Sequence, residues 1–415
     1  MQNRLSAFRN ADFRKLMAAR VLFTLSVQMQ AVLIGWQIYD LTQDPLSLGL
    51  IGLTEAVPAL SLALFAGVLV DRGNPRKIYR RVILTSFVSA FLLLVTTAQW
   101  IHASFETSIQ LRFLYLGAFL TGLARGFSSP SLYAMIPRLL PREAVTVSSA
   151  WITFTIHLAT LSGPALGGLL FGYRGALLAY GVICLCLLTS AVLVTWIRTP
   201  TPPLATTPVR EPIFHSIREG VRFVFADRIL LSSLSLDLFA VFFGGVTALL
   251  PVFARDILSI GPEGLGWLRA APAGGALLMT FLLIRRPIAE NAGKVLLWVV
   301  GGFGLTIIGF GISTNPWLSG FLLALGGALD AVSMVIRSAI VQLRSPAEMR
   351  GRIASVNSMF IGSSNELGAF ESGVAARLLG TVPSVIFGGT MTLLTVLLIV
   401  WKAPSLRKLH FEKTA

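Results

Sequence analysis

The chain is short of charge, short of cysteine and without a cluster of metal-binding side chains. Only 13% of its 415 residues are charged, while 54% are hydrophobic. Water-soluble chains usually carry about twice that charged share. The mean hydropathy is +0.76. So much apolar surface cannot be hidden in one or two soluble cores at this length, and lipid must be its solvent. The only cysteines, Cys184 and Cys186, share one apolar run. Two residues apart on a helix, they point in different directions and cannot bridge each other. No metal and no organic cofactor is expected. No activated nucleophile or close pair of catalytic acids stands out either, so the sequence does not read as an enzyme.

Acidic residues are also scarce: 19 against 34 Lys and Arg, a formal charge of +15. In a soluble chain that excess would suggest nucleic acid. Here the cations fall in short gaps between apolar stretches, with no aromatic-interleaved basic face, and a nucleic-acid partner is not expected. A spanning helix needs about 20 mostly apolar residues. Stretches that meet this test lie at 16–41, 46–70, 78–100, 111–136, 144–171 and 175–197. Six more lie at 229–254, 263–284, 294–313, 317–343, 351–379 and 382–402. The expected fold is therefore an all-α membrane protein of twelve transmembrane helices. Residues 1–15 are polar and basic, and the apolar run after them is too long for a cleaved signal, so it reads as an uncleaved first span.

Most of the basic residues fall on one side if the N-terminus is placed in the cytoplasm, which puts both termini there. Arg112, Arg174, Arg255 and Arg377 then lie at outer ends. The stretch 198–228 carries Thr199-Pro200-Thr201-Pro202-Pro203, followed by an amphipathic segment from Phe214 to Phe225. It reads as a cytoplasmic linker containing a short surface helix. The expected organisation is an N-terminal six-helix bundle (1–198), the linker (199–228), a C-terminal six-helix bundle (229–402) and a cytoplasmic tail (403–415).

The halves repeat. Gly52-Leu-Thr-Glu55-Ala-Val-Pro58 in the second span matches Gly266-Trp-Leu-Arg269-Ala-Ala-Pro272 in the eighth. Gly122-Leu-Ala-Arg125 in the fourth matches Gly327-Ala-Leu-Asp330 in the tenth. Each match is short; their agreement in span number is what gives them weight.

Twelve spans, a 6+6 pseudo-symmetric repeat and a central linker together resemble the major facilitator superfamily. Two motifs sharpen the likeness. Gly67-Val-Leu-Val-Asp71-Arg72-Gly73-Asn74-Pro75-Arg76-Lys77 is similar to the superfamily's loop signature between spans two and three. There Gly67 would allow close helix approach and Asp71 would sit at the N-terminus of a neighbouring helix. Asn74 replaces a Gly, which Asn's tolerance of left-handed backbone makes mild, and Pro75 replaces an Arg. Ser162-Gly163-Pro164-Ala-Leu-Gly167-Gly168 resembles the fifth-span motif of drug:proton antiporters. Pro164 would bend that helix, while Gly163, Gly167 and Gly168 would offer a smooth face to the other half. Generic small-residue packing is the plainer explanation of the paired glycines. Met349-Arg350-Gly351-Arg352 and the string Ser363-Ser364-Asn365-Glu366 to Gly373 resemble the branch of siderophore and drug exporters. The resemblance implies alternating-access, proton-coupled export of a bulky amphipathic small molecule across a bacterial cytoplasmic membrane.

Ionisable groups inside spans cost a few kcal/mol each, so they face a cavity or a partner. Here they are Glu55, Arg125, Asp237, Arg269, Asp330, Arg337, Glu366 and Glu371, together with His157. The repeat sets Arg125 and Asp330 at equivalent places, and Glu55 and Arg269 as a second inverted couple. Spans four and ten line the central cavity in the superfamily fold. Asp330 is therefore expected as the main protonation site, with Arg125 as its electrostatic counterpart. Asp237 would share the cavity, Arg337 would steer anionic groups, and Glu366 and Glu371 would form a gate, relay or buried network with Ser363 and Asn365. Static ion pairs holding helices together are the competing explanation. His157, alone on an apolar helix, reads as a packing residue.

Trp100, Trp196, Trp317 and Trp401 fall at span ends, as interfacial anchors do. Trp36, Tyr39 and Trp151 fit either an amphipathic cavity or ordinary packing. The expected partners are a small-molecule substrate and the lipid bilayer, and short loops suit a monomer. An importer, uniporter or lipid transporter on the same scaffold, or a non-transporting receptor, is the alternative.

Overall fold

The computed structural model describes residues 10–97, 106–140, 142–200, 213–285, 291–346 and 349–409. Helices follow one another in this order: α1 (Ala11–Thr42), α2 (Pro45–Arg72), α3 (Pro75–Thr96), α4 (Thr107–Leu139), α5 (Arg142–Thr195), α6 (Ile213–Ala226) and α7 (Arg228–Phe243). Then come α8 (Gly261–Arg285), α9 (Ala292–Ile312), α10 (Pro316–Arg344), α11 (Arg350–Leu379), α12 (Thr381–Lys402) and the short α13 (Pro404–Arg407). Between α7 and α8 the chain passes through a 3-10 turn (Val246–Leu249), one α turn (Leu250–Val252) and a π turn (Phe253–Ile257). The pair Gly244-Gly245 and then Pro251 interrupt regular hydrogen bonding there.

The sequence marks the helix starts chemically. The Asn10 carboxamide oxygen accepts from the backbone N–H groups of Asp12 (2.8 Å) and Phe13 (3.2 Å). Asp227 caps α7 through Ile229 and Leu230, and Asn315 caps α10 through Trp317 and Leu318. Each side chain satisfies amides that the first helical turn leaves without partners. Asn74 does the same for α3, accepting from Lys77 at 3.2 Å. Its φ of −90° is extended, so Asn74 is a cap and not the left-handed turn residue expected from the motif. Pro75 follows at the first helical position, where its fixed φ suits the helix. The Asn-Pro departure from the signature therefore makes a well-formed helix start.

Among the described residues, nine helices are long and apolar enough to cross a membrane. Two others, α4 with 33 residues and α11 with 30, are long enough but more polar. Within α5 the backbone leaves helical values at Gly175, with φ 77°. That conformation suits glycine alone, and it divides α5 where two separate spans are expected. The amphipathic linker segment is helical, as α6. Trp196, Trp317 and Trp401 are largely exposed, as interfacial anchors would be. Trp100 lies outside the described residues.

The chain forms two compact units. The first comprises Met1–Gln43, Leu53–Thr207 and Ile260–Ala270. In it α1 runs along α5, and α3 packs on α4. The Gln30 amide donates to Ser89 Oγ (2.8 Å) and Thr121 Oγ1 (3.2 Å), and Ser89 donates to the Gly117 carbonyl (2.8 Å). This knot ties α1, α3 and α4 together. Each buried bond contributes about 1 kcal/mol, and losing one partner costs more because the other stays unsatisfied. At the base of α1, Asp12 accepts from the backbone N–H groups of Arg198 (2.9 Å) and Thr199 (2.8 Å), from the Thr199 hydroxyl (2.7 Å) and from Lys15 (2.8 Å). One carboxylate thus fastens the end of α5 to the first helix.

The second unit comprises Asp44–Gly52, Pro208–Ser259 and Ala271–Ala415. A single apolar cluster joins Val224 of α6, Leu230 of α7, Ile336 of α10, Val356 of α11 and Leu406 of α13. Here α7 packs tightly because Gly368 meets the Phe242 carbonyl and Gly388 that of Phe243. A side chain at either position would collide with backbone.

Glycine contacts fix the register of the repeat. In the first unit Gly122 of α4 sits against the Glu55 carbonyl of α2; in the second Gly327 of α10 sits against the Pro272 carbonyl of α8. The fourth- and tenth-span match is thus reproduced in three dimensions. The other match slips by one helical turn, because these contacts equate Glu55 with Pro272 and not with Arg269. A further pair agrees with this register. Gly168 meets the Pro262 carbonyl and the Gly266 Cα, and Gly373 meets the Pro45 carbonyl and the Gly49 Cα. The short sequence match was drawn to Pro58 and Pro272, which the packing does not equate.

Candidate functional site

Each unit holds one group of paired charges from the expected spans. In the second unit Arg337 of α10 is buried, with 7% of its side chain exposed, and pairs with Asp237 of α7, exposed by 8%. Its second guanidinium nitrogen lies 3.8 Å from Asp330 of α10, whose side chain is 48% exposed. Arg337 Nε also donates to Ser333 Oγ at 3.2 Å. One cation is therefore shared unequally. The buried carboxylate is in direct contact with it, and the exposed one is held loosely, two helical turns away on the same face. Arg337, expected only to steer anions, is the centre of the group.

In the first unit Arg125 of α4 donates to Glu55 of α2 at 2.6 Å, with 43% of the Arg125 side chain exposed. The Gly122 contact explains the meeting: it brings the two helices together one turn from Arg125. Arg125 and Asp330 thus occupy equivalent positions, and each finds a partner of opposite charge within its own unit. Arg269 of α8 donates to the Ala31 carbonyl at 3.2 Å. Glu366 and Glu371 of α11 are both partly buried. Next to them, Ser364 and Asn365 direct hydrogen bonds to the Ile361 carbonyl of their own helix.

The motif residues act differently from expectation in three places. A methyl group added at Gly67 would meet nothing within 4 Å, so no close helix approach depends on it here. Gly163 and Gly167 do not face the other half. A methyl on Gly163 would come 2.6 Å from Gln28 Cβ and one on Gly167 3.0 Å from Met29 Cα, both on α1. Only Gly168 of the three turns towards α8. The backbone keeps helical dihedrals through Pro164 and leaves them at Gly175, between the two spans expected there. Arg76 donates to the Ile197 carbonyl, so the loop motif holds the end of α5. The side chains of Asp71 and Arg72 lie outside the described residues.

Among the described residues, ion pairs that escaped the sequence analysis include Lys15 with Asp12, Arg344 with Asp227 (2.7 Å), Arg352 with Glu219 and Arg377 with Asp44 (3.2 Å). Burial pushes the Asp227 carboxyl up, but the Leu230 N–H and the Arg344 guanidinium outweigh it and hold its pKa below the ordinary range. The Asp before a helical start was a legible cap signal, and its arginine partner was not.

The profile of the transmembrane secretion effector family, a group of major facilitators, matches residues 2–413. The chain belongs to this family. This secretion effector is 27% identical over 411 residues to the enterobactin exporter EntS of Shigella dysenteriae, covering 97% of this chain and 94% of that one. The EntS protein of Salmonella typhimurium is 25% identical over 405 residues, covering 95% and 93%. Among solved structures, the nucleoside transporter NupG superposes with a TM-score of 0.70 at 12% identity, covering 94% of this chain and 99% of that one. A bacterial homologue of the lysosomal transporter Spinster gives 0.70 at 15%, covering 95% and 96%. These solved structures share the fold. The secretion effector is thus a multi-pass protein of the inner membrane and a secondary transporter.

Proposed function

We propose that this transporter exports a bulky, siderophore-like molecule in exchange for protons, with Asp330 as the carboxylate that exchanges them. The observation that carries the coupling is the unequal sharing of Arg337 between Asp237 and Asp330. Asp237 serves as the permanent counter-ion of a buried cation. Asp330 is half exposed and stands at the edge of the guanidinium's reach on the same helix, so a movement of α7 that loosens Asp237 from Arg337 changes how tightly Asp330 holds a proton. The two carboxylates and the arginine titrate as one coupled group. The export direction and the siderophore class rest on the enterobactin exporters, which align along almost the whole chain.

In this proposal the chain crosses the bilayer twelve times: α5 counts as two spans divided at Gly175, and the polar α4 and α11 cross as well. Both termini lie in the cytoplasm. Residues 1–198 and 229–402 form the six-helix bundles, 199–228 the linker and 403–415 the tail, and the protein works as a monomer. Arg125, presented on Glu55, offers an exposed cation to the anionic groups that siderophores carry.

The test uses inside-out vesicles with a pH-gradient dye and a panel of catecholate, hydroxamate and drug-like compounds. Collapse of the gradient by a catecholate with the unmutated protein, and its loss in Asp330→Asn, is the expected outcome. Coupling that survives in Asp330→Asn removes that carboxylate from the mechanism. Substrate movement indifferent to the gradient removes proton exchange altogether.

A further inference from the structure

The second unit carries a basic surface at the end where α6 and α13 lie. Both helices cover the same apolar cluster, α6 through Val224 and α13 through Leu406, each with no exposed side-chain surface. Gly220 fixes α6 further, because it sits against the Arg352 carbonyl of α11. With that face held, the opposite face of α6 presents Arg218, Arg222 and Phe225, spaced four and three residues apart, and all exposed. Such spacing puts the three on one stripe. Arg228, one residue beyond the cap of α7, is exposed beside them, and α13 adds exposed Arg407 and Lys408.

Among the described residues, the acidic groups at this end are engaged elsewhere. Glu219 is paired with Arg352, and Asp227 with Arg344. Each pair ties neighbouring elements together, and among the described residues no ion pair reaches Arg218, Arg222 or Arg228. Phe225 is 58% exposed in the middle of the stripe. A phenyl ring flanked by arginines, on a helix held parallel to its own packing face, suits the boundary between acyl chains and headgroups. Because α7 begins and α12 ends here, the surface lies at the ends of two helices long and apolar enough to cross a membrane.

We infer that this surface binds anionic phospholipid headgroups. The cations attract the phosphodiester charge, and Phe225 enters the acyl boundary. An acidic soluble protein would need no exposed phenyl ring at the centre of the charge. The inference is independent of the proposed proton exchange and of the exported molecule.

The experiment is native mass spectrometry of the full chain in detergent with phosphatidylglycerol or phosphatidylcholine added. Retention is compared between the unmutated protein, the triple variant Arg218→Gln/Arg222→Gln/Arg228→Gln and the corresponding triple lysine variant. Each cation near an anionic surface contributes about fivefold, so the glutamine variant loses up to about a hundredfold of its preference for phosphatidylglycerol. The lysine variant keeps most of it, and raising the salt to about 1 M weakens the unmutated protein similarly. Equal retention in all three proteins overturns the inference. Loss in both the glutamine and the lysine variants also overturns it, because it assigns these arginines to packing and not to lipid charge.

Discussion

Asp237→Asn tests whether Arg337 is held as the geometry says. The substitution keeps the shape of the side chain and removes its charge, leaving a guanidinium that is 7% exposed with Asp330, at 3.8 Å, as its remaining carboxylate among the described residues. Breaking a buried pair from one side costs about 3–5 kcal/mol. Because Asp330 remains as a distant second partner, the lower end applies, about 3 kcal/mol. For a body of about 200 residues that is a fall in the unfolding midpoint of roughly 6–12 °C. Asp330→Asn differs, since its carboxylate is half exposed and lies 3.8 Å from the guanidinium, and its loss costs about 0–1 kcal/mol. The double variant Asp237→Asn/Arg337→Met removes the stranded charge and recovers most of the loss. Thermal unfolding of the purified proteins, followed by fluorescence of a thiol-independent dye or by circular dichroism, gives the three midpoints. Equal falls for Asp237→Asn and Asp330→Asn, or a double variant no more stable than Asp237→Asn, would refute the unequal sharing of Arg337.

Other consequences are open to direct measurement. Asp227 pairs with Arg344, and its pKa is lowered in the folded protein, so it contributes stability above its ordinary value of about 4 and loses it as pH falls through the folded value. A thermal scan from neutral to acid pH should therefore show a smaller acid-induced loss in Asp227→Asn than in the unmutated protein. Gly122→Leu forces α4 off the Glu55 carbonyl and should cost about 1–3 kcal/mol or abolish accumulation in the membrane, whereas Gly67→Ala meets open space and should leave the midpoint within about 0.5 kcal/mol.

The apolar stretches were legible because lipid imposes a length and a composition on anything that crosses it. The stretch 16–41 lies inside α1 and 294–313 nearly coincides with α9; helices run past the apolar limits because capped polar turns extend them. The break at Gly175 was legible too, as a gap between two apolar runs. The choice of partners was not. Glu55 was set beside Arg269 by a seven-residue match, yet it pairs with Arg125, because the register of α2 against α4 is decided by where Gly122 lets the backbones touch. Arg337 looked peripheral because nothing in α10 alone tells which residue of α7 comes within reach. Asn74 misled for a local reason: asparagine suits both a left-handed turn and a helix cap, and the proline after it decides for the cap.

The contacts of Gly122 and Gly327 have a consequence for how the two halves differ. In each half a glycine on one helix touches a carbonyl on another, and the charged residue stands three positions further on. The junction behaves as a common mount, and the arginine or aspartate is what has been fitted to it. Exchanging Arg125 and Asp330 would leave both mounts untouched but set a second carboxylate beside Glu55 and a second guanidinium beside Arg337. The duplicated backbone fixes where a charge stands; the sign is a separate choice in each half.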